Sequence, residues 1–210
     1  MNKNLGTVAL AIAAASLTAN ATELTSNGGF EAGDLSGWAD FTGTADPGFP
    51  GTFNISTDPN TGSFAGEVFN NQLASSAVVK QANLGIGLVQ PGDEIEISFA
   101  AKGDFLIGGV LVAEFFSELD GGGVSSAEIL GGQPLFFASQ AEYQTFTFTT
   151  IAGPDVSGGV TVQFAAITGG AAGSLALAFI DDVSVRIIPA PAGVAAFGLA
   201  GLAAARRRRA

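Results

Sequence analysis

The chain has 210 residues, 19 of them acidic and 8 basic, and contains neither His nor Cys. That excludes disulfides, thiol nucleophiles, Ser-His triads and His-ligated zinc, and leaves carboxylate chemistry and oxygen-ligated metals. Within residues 22–188 all 19 acids stand against Lys80, Lys102 and Arg186 alone, a net charge of −16. Such a field repels nucleic acid, and acidic polysaccharide too unless divalent cations bridge the two, and it keeps exported proteins apart in solution.

The N-terminus begins with basic Lys3, an apolar run over residues 5–17 and the small-x-small triplet Ala19-Asn20-Ala21. This pattern predicts a secretory signal peptide over residues 1–21, handled by the Sec translocon and signal peptidase, with the mature chain starting at Thr22. Residues 22–188 are the size of one domain and long enough to bury a core.

That domain opens on Asn27-Gly28-Gly29-Phe30-Glu31, followed by Gly37-Trp38. Short β-rich runs then alternate with Gly, Asn, Asp and Pro clusters. Strands are expected at residues 52–56, 77–81, 94–99, 110–117, 143–149, 160–164 and 175–185, several with strict period-two alternation. Residues 110–116 and 125–130 could form helix in isolation and read as strand and loop respectively. No long capped helical pattern interrupts them, so the expected fold is all-β, an antiparallel β-sandwich of jelly-roll type. Gly121-Gly122-Gly123 has no Lys nearby and does not cradle phosphate. Glu114, Glu118 and Asp120 read as solvated acids rather than a glycosidase pair. Trp38, the only Trp, is expected to pack near the opening turn, and Tyr143, the only Tyr, to sit at a strand edge.

In the closing strand, alternation places Leu175, Leu177, Phe179, Asp181, Val183 and Val185 on one apolar face, with Asp182 on the other. A carboxylate on such a face needs a partner. Two partners are open: a hard cation held by oxygen, or backbone N–H groups.

After residue 188 the chain reads Pro189-Ala190-Pro191, an apolar run over 192–205, then Arg206, Arg207, Arg208 and Arg209. An apolar run closed by Arg is a membrane stop with its basic end in the cytoplasm. This run is short for a permanent span.

The order of Pro motif, apolar helix and Arg cluster resembles the PEP-CTERM sorting signals of Gram-negative bacteria, with Ala190 where the family has Glu. The resemblance implies processing by an exosortase-type membrane enzyme; the other reading is an uncleaved anchor. The pair Asn27–Glu31 with Gly37-Trp38, and Asp181-Asp182 before an apolar strand, resembles the first and last strands of galactose-binding-like jelly rolls, including many carbohydrate-binding modules. The resemblance implies a structural Ca2+ held by Glu31 and Asp181, with Asp182 a weaker ligand. The whole reads as a signal peptide over 1–21, a β-sandwich over 22–188 and a sorting signal over 189–210. The expected protein is non-catalytic, exported across the inner membrane and anchored there transiently. It then resides at the cell surface or in the extracellular matrix in a structural or adhesive role. The alternative is a carbohydrate-binding module recognising extracellular polysaccharide.

Overall fold

Eleven strands in two antiparallel sheets, with one 3-10 turn at Leu130–Gly132, make up the regular structure of residues 21–46 and 48–189, which a computed structural model describes. The strands are β1 (Thr22–Glu23), β2 (Ala39–Phe41), β3 (Thr52–Ser56), β4 (Ala65–Asn70), β5 (Ser76–Leu84) and β6 (Glu94–Leu106). They continue with β7 (Val110–Glu118), β8 (Val124–Ile129), β9 (Gln140–Ile151), β10 (Val160–Ile167) and β11 (Leu175–Ile188). One sheet runs β3-β4-β11-β6-β9, with β1 paired to β11, and the other runs β2-β5-β10-β7-β8. Residues 21–188 form one unit with its own core. Ala21, the expected cleavage residue, is described and exposed. Ala19, Ala190, Pro191 and the four Arg lie outside the described residues, as does the expected C-terminal helix. Among the described residues no helix is long and apolar enough to cross a membrane.

The period-two strings fold as strands because one residue in two finds the core. In β10, Val160, Val162, Phe164 and Ala166 point inward, while Gln163 and Ile167 are half-buried on the outer face. Phe99 of β6 meets Phe164 of β10 edge-to-face at 4.8 Å, joining the two sheets. Each fully buried Phe contributes about 1.5–3 kcal/mol, and such a ring pair about 0.5–1.5 kcal/mol more.

The closing strand departs from simple alternation. A bulge interrupts its register against β6 between Asp181 and Ser184, and Asp182 lies at φ 51°. The bulge shifts the phase by one residue. Ala176, Ala178 and Ile180 face inward before it, and Val183 and Val185 after it, while Leu175, Leu177 and Phe179 are only half-buried on the outer face. The expected single apolar face from Leu175 to Val185 is therefore wrong in its first half.

Candidate functional site

The opening motif is first of all a folding device. Asn27 accepts the Ala32 N–H at 3.1 Å and donates to the carbonyls of Asp34 and Ser36 at 2.9 and 3.1 Å. Trp38 donates its indole N–H to the Asn27 carbonyl at 3.2 Å and stacks on Phe30, centroids 5.0 Å apart. Phe30 is fully buried and Trp38 nearly so. Gly28 lets this segment lie against β11: its carbonyl accepts the Val183 N–H at 3.0 Å, and a Cβ there would stand 1.9 Å from the Val183 oxygen.

This packing brings Glu31, Asp181 and Asp182 around Gly29. A Cβ on Gly29 would lie 3.7 Å from Asp181 Oδ1, 3.8 Å from Glu31 Cγ and 3.9 Å from Asp182 Oδ1. The oxygens, however, turn to the β3–β4 loop. Asp181, fully buried, accepts the N–H groups of Asn60 and Thr61 at 2.8 and 3.1 Å and of Asp182 at 2.7 Å. Glu31 Oε1 accepts those of Ser63 and Phe64 at 2.9 and 3.0 Å. Asp182 takes the Asn60 amide at 2.7 Å and the Thr61 hydroxyl. The expectation that Asp182 faces away is corrected: the bulge swings it onto the same loop as Asp181.

No Lys or Arg pairs with these three acids; among the described residues the ion pairs are Lys102–Asp58 and Arg186–Glu96. Burial pushes the Asp181 carboxyl above its ordinary pKa. Its three N–H bonds oppose the shift, and the Asp182 charge adds to it. Nearby Tyr143 is pushed up as well, by burial and then by the charges of Asp181, Asp58 and Asp182. Its hydroxyl donates to the Asp58 carbonyl at 2.7 Å, and Lys102 Nζ sits 4.6 Å from its ring centre. Because Glu31 presents its methylene rather than its carboxylate to Gly29, no group of three acids converges on a metal position among the described residues.

A second surface comes from residues that strand alternation alone places together. On the outer face of the five-stranded sheet, Lys80 of β5 pairs with Gln163 of β10, and Gln163 with Glu114 of β7. Gln163 donates to Glu114 Oε2 at 2.7 Å. Alongside this row lie Phe41 of β2, 42% exposed, and half-buried Phe116 of β7. Lys80 Nζ stands 5.1 Å over the Phe41 ring. Small residues floor the face between them: Ala165 and Val112 are nearly buried without another strand above them. The face leads into a cleft of about 390 Å³ lined by Lys80, Ala82, Glu118, Leu119, Asp120 and Gly122, the lower end of the size range of ligand pockets. Glu114 and Glu118 are four residues apart on one strand, about 13 Å, too far for the roughly 5–9.5 Å of a glycosidase pair.

No family model matches the chain, and no curated protein matches it significantly. Solved structures match its fold. The enzymatically active domain of tailspike protein 4 from bacteriophage CBA120 superposes with a TM-score of 0.60 at 13% identity, over 79% of this chain and 21% of that one. The CBM22-1 xylan-binding domain of Xyn10C from Paenibacillus barcinonensis gives 0.55 at 11% identity, over 84% and 99%. The Stig cyclase Fisc from Fischerella sp. TAU gives 0.56 at 17% identity, over 81% and 100%. The chain thus spans about a fifth of the tailspike structure but nearly all of the other two. These likenesses establish a β-sandwich fold shared by carbohydrate-binding modules and by enzymes.

Proposed function

We propose that residues 22–188 are a non-catalytic polysaccharide-binding domain of an exported envelope or extracellular-matrix protein. The observation that carries this reading is the outer face of the five-stranded sheet. A pyranose packs its C–H face on an aromatic ring, while its hydroxyls exchange hydrogen bonds with amide, ammonium and carboxylate groups. Phe41 and Phe116 supply the rings, and Lys80, Gln163 and Glu114 supply the polar row. The xylan-binding neighbour supports the reading at the level of fold. Two enzymes share that fold, so catalysis is judged from the site itself. The chain has no His or Cys, and Glu114 and Glu118 are spaced too widely for glycoside hydrolysis. A glycan array on residues 22–188 tests the binding reading: an array without hits rejects it. Turnover of a bound glycan, lost on replacing one acid, rejects the non-catalytic part.

Export and sorting belong to the same proposal. The Ala19-Asn20-Ala21 triplet and the tail carrying Pro189, Ala190, Pro191 and Arg206 to Arg209 support it in sequence. The surface fraction is expected to start at Thr22 and end near Pro191 by intact mass. A tail retained to Ala210 would mark a permanent anchor instead.

We further propose that calcium binds beside Gly29. As placed, the three acids do not converge on one position. The donor set fits a hard cation once the Glu31 carboxylate turns from the Ser63 and Phe64 N–H groups toward Gly29, because Glu31, Asp181 and Asp182 have no cationic partner and the Thr61 hydroxyl adjoins Asp182. Bound there, the ion would tie the opening segment to the closing strand.

A further inference from the structure

We propose that the end of the sandwich opposite Ile188 is a self-association surface that receives the same end of a second copy. The domain is charged at its two ends very unequally. Both Thr22 and Ile188 lie at one end, where Ile188 pairs with Glu94 and Glu94 with Ile151. Glu23, Asp93, Glu94, Glu118, Asp120 and Asp155 all sit at or beside this end.

The opposite end is built from residues 42–46, 48–51, 71–75, 107–109, 130–139 and 168–174. Together these carry one charged residue, Asp46, and exposed Asp104 and Glu142 stand close behind them in β6 and β9, still fewer acids than at the other end. They form a continuous surface. Phe49 and Gln72 line one shallow depression. Ala74 donates to the Gly169 carbonyl at 3.0 Å, and a Cβ on Gly173 would lie 3.1 Å from Ile107 Cδ1. Leu111 accepts the Leu135 N–H at 2.8 Å and bridges to Phe136. Large apolar side chains stand out of this surface: Phe49 is 50% exposed, Leu73 55%, Ile107 57% and Phe137 65%. Patches of this kind on a soluble domain mark interaction sites.

Charge selects the occupant. Two domains of −16 repel each other wherever their acidic surfaces meet. The charge-poor ends are the surfaces that approach while bringing the fewest carboxylates together. In an end-to-end pair, the acid-rich ends point away from each other. β11 is 14 residues long, so each acid-rich end stands roughly 45 Å behind the contact, several Debye lengths at physiological salt. Meeting end to end is isologous and closes as a two-fold pair. A handful of exposed apolar residues makes a weak contact, suited to many copies on one surface rather than to a permanent dimer. The inference stands independently of glycan binding.

Sedimentation velocity on residues 22–188 tests it, over a concentration series at about 0.01 M and 0.15 M salt, where the Debye length falls from about 30 to about 8 Å. The expected result is a monomer–dimer equilibrium that strengthens with salt. Ile107→Glu and Leu73→Glu are each expected to weaken it about tenfold or more. Leu88→Glu, an equally exposed position at the acid-rich end, adds the same charge and is expected to leave it nearly unchanged. A monomer at every concentration and salt overturns the proposal. So does a dimer that both end variants retain, or one that Leu88→Glu weakens as much as they do.

Discussion

Asp181 concentrates the residue-scale argument. It is fully buried, and its carboxylate is the acceptor for three backbone N–H groups. Removing it by Asp181→Ala strands buried donors, each costing about 1–3 kcal/mol. Burial also holds its folded pKa above the unfolded value. The proton is then bound more tightly in the folded state, so this residue's contribution is full below about pH 4 and is lost as pH rises through the folded pKa. Measured by denaturant unfolding in chelator, the stability of wild type minus that of Asp181→Asn should fall as pH rises from about 4 toward neutrality. A difference that rises over that range contradicts the assignment. The proposed calcium would act on the same carboxylate. Excess calcium should raise the melting temperature by mass action, and Asp181→Ala should abolish the response. An equal melting temperature with calcium and with chelator would leave the loop N–H groups as the whole function of the cluster. The sequence made Glu31 and Asp181 visible as a pair. It did not make visible the Asn60, Thr61, Ser63 and Phe64 N–H groups, because a backbone donor leaves no residue-specific mark.

At the scale of elements, the period-two strings identified most of the strands, since alternation of exposure is what a half-buried strand requires. β2 and β4 escaped. Ala39–Phe41 has three residues, and Ala65–Asn70 begins Ala-Gly, so neither shows a sustained pattern. The bulge in β11 escaped too, because neither Gly nor Pro marks it. Its extra residue is Asp182, one of the few non-Gly residue types that tolerate a positive φ. That conformation is the basis of a prediction. Asp182→Gly keeps the backbone free and loses only the Asn60 and Thr61 contacts. Asp182→Val adds a β-branched side chain at φ 51° and should cost about 1–2 kcal/mol more than the Gly variant. Equal chemical-denaturation midpoints for the two variants would mean that the bulge is not held in this conformation.

Across the whole molecule, the two sheets serve different ends. The six-stranded sheet ties both termini together through β1 and β11 and carries the carboxylate cluster. The five-stranded sheet gathers Phe41, Lys80, Glu114, Phe116 and Gln163 from four strands onto one face. These residues are up to 122 positions apart in the chain, so only strand order and register reveal that they are neighbours. In the sequence Glu114 read as a solvated acid; its bond to Gln163 depends on β7 and β10 being adjacent. The central claim is that this face holds polysaccharide. Its most direct test is retention of residues 22–188 on the glycan that an array selects, for wild type and for Phe41→Ala and Phe116→Ala. Each substitution removes a ring from the face, and each is expected to weaken binding about tenfold, since an aromatic contact contributes about 0.5–1.5 kcal/mol beyond its buried area. Wild-type affinity in both variants would contradict the assignment of the face.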